Sequence, residues 1–283
     1  AGVSVATASR ALSNPELVAE NTRDAVRGAA ESCGYKMNFA ARSLRTQRSY
    51  TLLALLPELD SLFYPEILCG IEEGARNGGY SIILGLNGRM ASGEAGYYEM
   101  LDSRRADGLL IVDGGLRNLT PQGLRPPVPF VQLLEFQHCS ANPAVSIDDH
   151  AAAVAATRHL IELGHRRIAH VAGRVGMTSA LLRKNGFRHA MMEARLDVDP
   201  RLIVEGQYDF DSGSAAVERL MTLEDKPTAV FCANDATAIG VLHRCASLGI
   251  EVPRQLSVIG IDDGNSAAAT TPPLTTIRQP RHM

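Results

Sequence analysis

The sequence predicts an α/β protein: two parallel-sheet units preceded by a small all-helical segment. Three observations predict it. Residues 1–48 lack β-type apolar runs and show helical spacing. From residue 49 onward, short apolar runs alternate with amphipathic stretches. Near-continuous apolar strands separated by helices are the pattern of parallel sheets covered on both faces. A length of 283 residues suits two or three domains rather than one.

In the first segment, Gly2-Val3-Ser4 is a turn and Val5–Leu12 a short helix that Ser4 can cap, ended by Asn14-Pro15. A second helix covers about Asn21–Cys33, with Val26, Ala29, Ala30 and Cys33 on one stripe and Gly34 as C-terminal cap. A third run is Ala40–Arg45. Beyond it, strands are predicted over Thr51–Leu56, Tyr80–Leu86, Gly108–Val112, Val128–Leu133, Ala144–Ile147, Arg167–Ala172, Leu202–Glu205, Thr228–Cys232 and Leu256–Ile261. Helices lie between most of them: Glu66–Asn77, Gly93–Arg104, His150–Leu163, Met177–Ala194, Gly213–Leu223 and Ala236–Leu248. Gly78-Gly79, Gly164 and Gly249 mark helix ends, and the two α/β units split near Gly164.

Charge is unevenly spread. Seven basic against four acidic side chains leave residues 1–48 at net +3, so the rest carries −6 of the chain's −3. A basic arm on an acidic body points to a polyanion partner, though a charge run is more often a solvated face. The five cysteines are scattered, with no CxxC pair, and read as buried reduced thiols in the cytosol. No apolar run is long enough to span a bilayer and no secretory signal opens the sequence, so a cytoplasmic location without membrane contact is expected. GxGxxG after a strand, GxxxxGK[ST], HExxH and GxSxG are all absent, so neither an enzyme nor a cofactor is expected. His165, just past a helix, is placed at the helix C-terminus, where the dipole favours it.

In open parallel sheets, ligands bind beyond the carboxyl ends of the strands. Those ends repeatedly carry polar or aromatic residues here: Asn87, Asp113, Asp148, Gln207-Tyr208, Asn234-Asp235 and Asp262-Asp263. Amides and carboxylates on one rim suit a ligand with many hydroxyls. Each of them alone reads equally well as a cap for the next helix, and Asp148 and Asp235 stand where a cap would.

Gly2–Pro15 resembles the turn and recognition helix of the LacI/GalR family of repressors; Thr22-Arg23 and Gly34-Tyr35 match its next helix, and Ala40–Leu44 its hinge helix. Asp60–Tyr64, His159–Ile168, Asn234-Asp235, Val258–Asp263 and Pro272–Ile277 match further signatures in order along the whole chain. The resemblance implies a partial helix-turn-helix headpiece over 1–48, hinge helix about 40–46, and an effector-binding core over 49–283. That core would be periplasmic-binding-protein-like, of two Rossmann-like subdomains: 49–163 plus 277–283, and 164–276. Set against the family pattern, the chain starts inside the helix-turn-helix and stops short of the last strand and helices. Ala19 stands where the family has a capping Ser or Thr.

By that resemblance, Val5, Ala6 and Arg10 read base edges in the major groove. Thr7, Ser9 and Ser13 contact phosphate, Ala41 lies in the hinge, and Leu44 wedges into the minor groove. The effector-facing positions carry over to Phe63, Tyr64, Asn87, Asp148, Arg183, Tyr208, Asn234 and Asp262. The implied protein is a homodimeric repressor that binds a palindromic operator and answers to a small sugar or nucleoside between its subdomains. A periplasmic-type solute-binding protein shares the core fold but predicts a secretion signal and no basic helical segment. A nucleotide-dependent oxidoreductase predicts a glycine fingerprint after a strand.

Overall fold

The computed structural model describes residues 1–35, 43, 46–59, 61, 63–86, 94–112, 127–135 and 143–280. The chain divides into two compact units, Ala1–Ser49 and Tyr50–Met283.

In the first unit, helix α1 spans Val5–Ser13. It starts where predicted because the Ser4 hydroxyl accepts a hydrogen bond from the Thr7 amide at 3.1 Å. A short 3-10 turn, Pro15–Leu17, leads to α2, Glu20–Ser32, whose N-cap Ala19 offers no side-chain bond. The two helices pack together, burying Ala11 and Val26. Gly34 follows α2 at φ +66°, a left-handed turn that costs glycine little. The run expected over 40–45 lies outside the described residues, Ser43 excepted.

The second unit holds two lobes. The first lobe contains β1 (Thr51–Leu56), α3 (Tyr64–Asn77), β2 (Ser81–Leu86), α4 (Glu94–Asp102), β3 (Gly108–Val112), β4 (Phe130–Leu133) and β5 (Ala144–Val145). Its strands are all parallel, in the order β2-β1-β3-β4-β5. The second contains α5 (Asp149–Glu162), β6 (Ile168–Val171), α6 (Thr178–Glu193), β7 (Ile203–Val204), α7 (Phe210–Met221), β8 (Ala229–Cys232), α8 (Asp235–Ser247), β9 (Ser257–Asp262) and β10 (Thr275–Arg278). Its parallel sheet runs β10-β9-β8-β6-β7.

The apolar runs are continuous because both sheet faces are covered. In β8, Val230 and Cys232 join a core with Val217 and Leu220 of α7 and Val241 and Cys245 of α8, whereas Ala229 and Phe231 join the opposite core with Leu160 of α5 and Phe187 of α6. In β1, Leu53 and Leu55 face one side and Ala54 and Leu56 the other. Strand alternation thus divides one hydrophobic run between two cores. Edge strands β2 and β5 are exceptions: Ile83, Leu84 and Leu86 of the one and Val145 of the other remain exposed.

Several expectations change. Helix α5 packs its Ala153, Ala156 and Leu160 on the second sheet, so the subdomain boundary moves from 163 to just before Asp149. Ile277 and Arg278 pair with Ile261 and Asp262, so β10 extends the second lobe rather than the first. Cys33 and Cys69 are exposed, unlike buried Cys232 and Cys245, because one ends α2 and the other lies on the outer face of α3; Cys139 lies outside the described residues. The His165 ring does not serve the helix end. It bridges the Thr228 hydroxyl at 2.9 Å and the Ser257 hydroxyl at 3.0 Å, tying the entries of β8 and β9.

Candidate functional site

The strand tips of the two lobes converge on a cleft enclosing about 80 Å³. Phe63, Tyr64, Arg183, Tyr208, Asn234 and Asp262 all line it. Phe63 meets Tyr64 edge-on at 6.0 Å between ring centroids, and Tyr64 is rooted in the first lobe's core. Asn234 combines both roles expected of a strand-end amide. Its Oδ1 accepts from the Thr237 amide at 2.9 Å, capping α8, while its Nδ2 donates to the Tyr208 carbonyl at 3.0 Å.

Arg183 is buried, so it is no solvated helix residue. Its Nε donates to Asp149 Oδ1 at 2.8 Å and its Nη1 to the Ala233 carbonyl, with the guanidinium carbon 5.8 Å from the Tyr208 ring centroid. Burial alone would lower its pKa, but Tyr208, Asp149 and Asp262 more than reverse this and hold it charged. Asp262 accepts from Gln279 Nε2 at 2.7 Å. Burial pushes its pKa up to about 7, against the pull of Arg183. Just behind it, Asp235 accepts from the Thr276 hydroxyl at 2.5 Å and the Gly264 amide at 3.0 Å, and burial raises its pKa to about 6. The Tyr208 hydroxyl pairs with the Ser179 hydroxyl at 2.8 Å, and burial lifts its pKa to about 12.

Asp148 is elsewhere. It is exposed and its Oδ1 accepts from the Ala151 amide at 2.8 Å, capping α5. Its neighbour Asp149 turns inward and takes the cleft position instead. Asn87 and Asp113 lie outside the described residues. The sequence reading missed Asp149, Glu135, Ser179 and Gln279, all of which line the cleft. Asp149 was within reach, as the second of two strand-end aspartates; the other three sit in no motif.

Backbone conformation marks the same rim. Leu134, Tyr208, Asp262 and Asp263 all have positive φ, at 70°, 66°, 134° and 54°. Non-glycine residues held there cost about 1–3 kcal/mol each, and such strain clusters at ligand sites.

In the N-terminal unit, Val5, Ala6 and Arg10 are exposed on α1, and no carboxylate pairs with Arg10 among the described residues. Thr7 and Ser9 are half-buried, and Thr7 Oγ1 lies 2.9 Å from Ser4 Oγ within the cap. Ser13 donates its hydroxyl proton to the Ser9 carbonyl at 2.7 Å, so a phosphate bond there requires another rotamer. Ala41 and Leu44 lie outside the described residues.

A two-lobed receptor with a polar, strained cleft, joined to a unit that exposes a short basic helix, defines a ligand-responsive DNA-binding regulator. Residues 1–38 match the family "Bacterial regulatory proteins, lacI family", and residues 157–282 match "Periplasmic binding protein-like domain". The chain is 36% identical over 283 residues to the HTH-type transcriptional repressor CytR of Escherichia coli (strain K12), covering all of this chain and 83% of that protein. It is 32% identical to the HTH-type transcriptional repressor PurR of Vibrio atlanticus (strain LGP32), covering 99% and 85%. Among solved structures, the transcriptional regulator CelR-cellobiose complex superposes with a TM-score of 0.76 at 29% identity, over 99% of this chain and 86% of that one. The chain therefore belongs to the lacI family of bacterial regulatory proteins. Its relatives are named transcriptional repressors, which decides against the solute-binding alternative. Among the described residues, no helix is long and apolar enough to cross a membrane.

Proposed function

We propose that this regulator represses transcription as a cytoplasmic homodimer on a palindromic operator, and that an uncharged sugar or nucleoside in the cleft sets its operator affinity. The carrying observation is the cleft floor. Charged Arg183 and the Asp262 carboxyl offer donor and acceptor for hydroxyls, while Phe63 and Tyr208 flank them for stacking on a sugar or base ring. CelR, solved with cellobiose, is a relative whose ligand is of this chemistry. Asn234 and Tyr64 complete the wall, and Asn87 is proposed to join them.

On DNA, Arg10 takes a guanine bidentately while Val5 and Ala6 meet thymine methyls. Thr7 and Ser9 hold phosphates, and Ser13 adds a contact only by giving up its bond to the Ser9 carbonyl. Ala41 and Leu44 supply the hinge, with Leu44 wedged into the minor groove at the operator centre. The exposed apolar edge formed by Ile83, Leu84 and Leu86 is surface that a dimer can bury. Effector and operator then share a coupling free energy of about 1–3 kcal/mol, felt equally from either site. The protein binds and does not transform its effector. The test is a thermal-shift panel of pentoses, hexoses, nucleosides and purines with the wild type and Asp262→Ala. A member that raises Tm in the wild type only supports the assignment; a shift that survives Asp262→Ala refutes it.

A further inference from the structure

We propose that Glu135 is a latch: it crosses the cleft from the first lobe, holds the second closed against it, and so positions Ser179 and Tyr208. The proposal rests on the cleft being the effector site, and names how that site is held ready.

The chain leaves β4 through a strained turn. Leu134 has φ +70° and is bracketed by a hydrogen bond from the Glu135 amide to the Leu133 carbonyl at 2.8 Å. That is a γ-turn of the positive-φ kind, the rarer and more strained of the two. The Leu134 amide is itself tied to the Val145 carbonyl at 2.8 Å, so the turn is fixed to the first sheet.

The turn sends Glu135 to the N-terminus of α6, in the other lobe. Its Oε2 accepts from the Thr178 amide at 2.7 Å and its Oε1 from the Ser179 amide at 2.9 Å. The first amides of a helix have no partner within it and carry partial positive charge. Helix α6 has no remedy of its own: its N-cap is Met177, which makes no side-chain bond, and its first turn contains no acid. The other lobe therefore supplies the cap. A cap drawn from across a cleft exists only while the cleft is closed, so capping and closure become one event. Ser179 passes the effect on, since its hydroxyl meets the Tyr208 hydroxyl at 2.8 Å on the effector wall. An open cleft loses both carboxylate bonds together and frees the Ser179 end of α6.

Closure and plain helix capping are separable. Met177→Asp gives α6 a local cap that does not depend on the other lobe. The experiment uses the full chain with spin labels at R76C on α3 and R254C in the second lobe, in a background with Cys33, Cys69 and Cys139 replaced by serine. Without ligand, the parent gives one short inter-label distance. Glu135→Ala and Glu135→Ala/Met177→Asp both broaden it toward a longer one, and Glu135→Gln, which keeps an uncharged acceptor, falls between. Binding of D-ribose, D-glucose, cellobiose, cytidine or adenosine, whichever shifts the parent's Tm, weakens at least tenfold in the double variant. An unchanged distance in Glu135→Ala overturns the latch, as does Met177→Asp restoring the short one. If no probe binds the parent but the distances change as stated, the latch stands and the effector reading falls.

Discussion

Arg183 reaches a single oxygen of Asp149 with two nitrogens, Nε at 2.8 Å and Nη2 at 2.7 Å, and both side chains are almost wholly buried. The pair joins α6 to the start of α5 and presents one face of the guanidinium to the cleft. Asp149 thus holds Arg183 in place at the cleft, and under the proposed function it acts on the effector only through Arg183. Removing one member of a buried pair leaves an uncompensated charge, costing about 3–5 kcal/mol. Asp149→Ala should lose that much in urea unfolding. The apolar double replacement Asp149→Leu/Arg183→Met should recover most of the stability yet bind no effector. A double variant that retains effector affinity would remove Arg183 from the site.

Tyr208 leans over a glycine. A Cβ at Gly173 would stand 2.0 Å from the Tyr208 Cζ and 2.4 Å from its hydroxyl oxygen. Gly173→Ala must therefore push the ring off its partner Ser179. We expect a folded protein with unchanged operator binding and effector affinity reduced at least tenfold, read by calorimetric titration.

Two buried groups give opposite pH slopes. The Asp262 carboxyl, raised by burial from 3.8 to about 7, keeps its proton in the fold where the unfolded chain has lost it. Its contribution to stability is therefore present at low pH and lost as pH rises from about 4 to about 7, at roughly 1.4 kcal/mol per unit. His170 is stacked between Phe187 and Phe231, its Nε2 has no partner among the described residues, and burial lowers its pKa from 6.5 to about 3. Its contribution is lost as pH falls from about 6.5 toward 3. Urea unfolding of Asp262→Asn from pH 5 to 8 should show the first slope removed, and His170→Leu from pH 6.5 to 4 the second. Parallel pH profiles for parent and variant would show that the group titrates alike in the folded and unfolded chain.

On α1, Arg10 is the one base-reading candidate with hydrogen-bond donors. Arg10→Ala should cost about 1–3 kcal/mol of operator affinity and relax preference at one base position per half-site. Ser13→Ala should cost little, since its proton is already given to Ser9. The readout is a mobility-shift titration over operators varied one base at a time.

Much of this was legible because local rules and tertiary structure agree. Ser4 caps α1 as its position demands, and the apolar runs of β1, β6 and β8 are buried on both faces. Strand-end reasoning picked out Tyr208, Asn234 and Asp262, which do line the cleft, since a strand's register fixes where its tip points. It failed between Asp148 and Asp149, because adjacent residues at a helix start differ only by the angle at which the helix leaves the sheet. It failed for α5 because an apolar helical stripe does not say which of two sheets it covers. Glu135 carries no signal of its own: its role depends on a strained turn at Leu134 and on a helix end 43 residues away in sequence.

The central claim is that occupancy of the cleft changes DNA binding. The direct measurement is operator affinity of the full chain, with and without the sugar or nucleoside that raises its Tm, for the parent and Asp262→Asn. The account predicts a change of about 5–150-fold in the parent, and the same factor in effector affinity when operator is present. In Asp262→Asn both changes vanish while affinity for bare operator stays. An operator affinity indifferent to a saturating, Tm-raising ligand in the parent would contradict it.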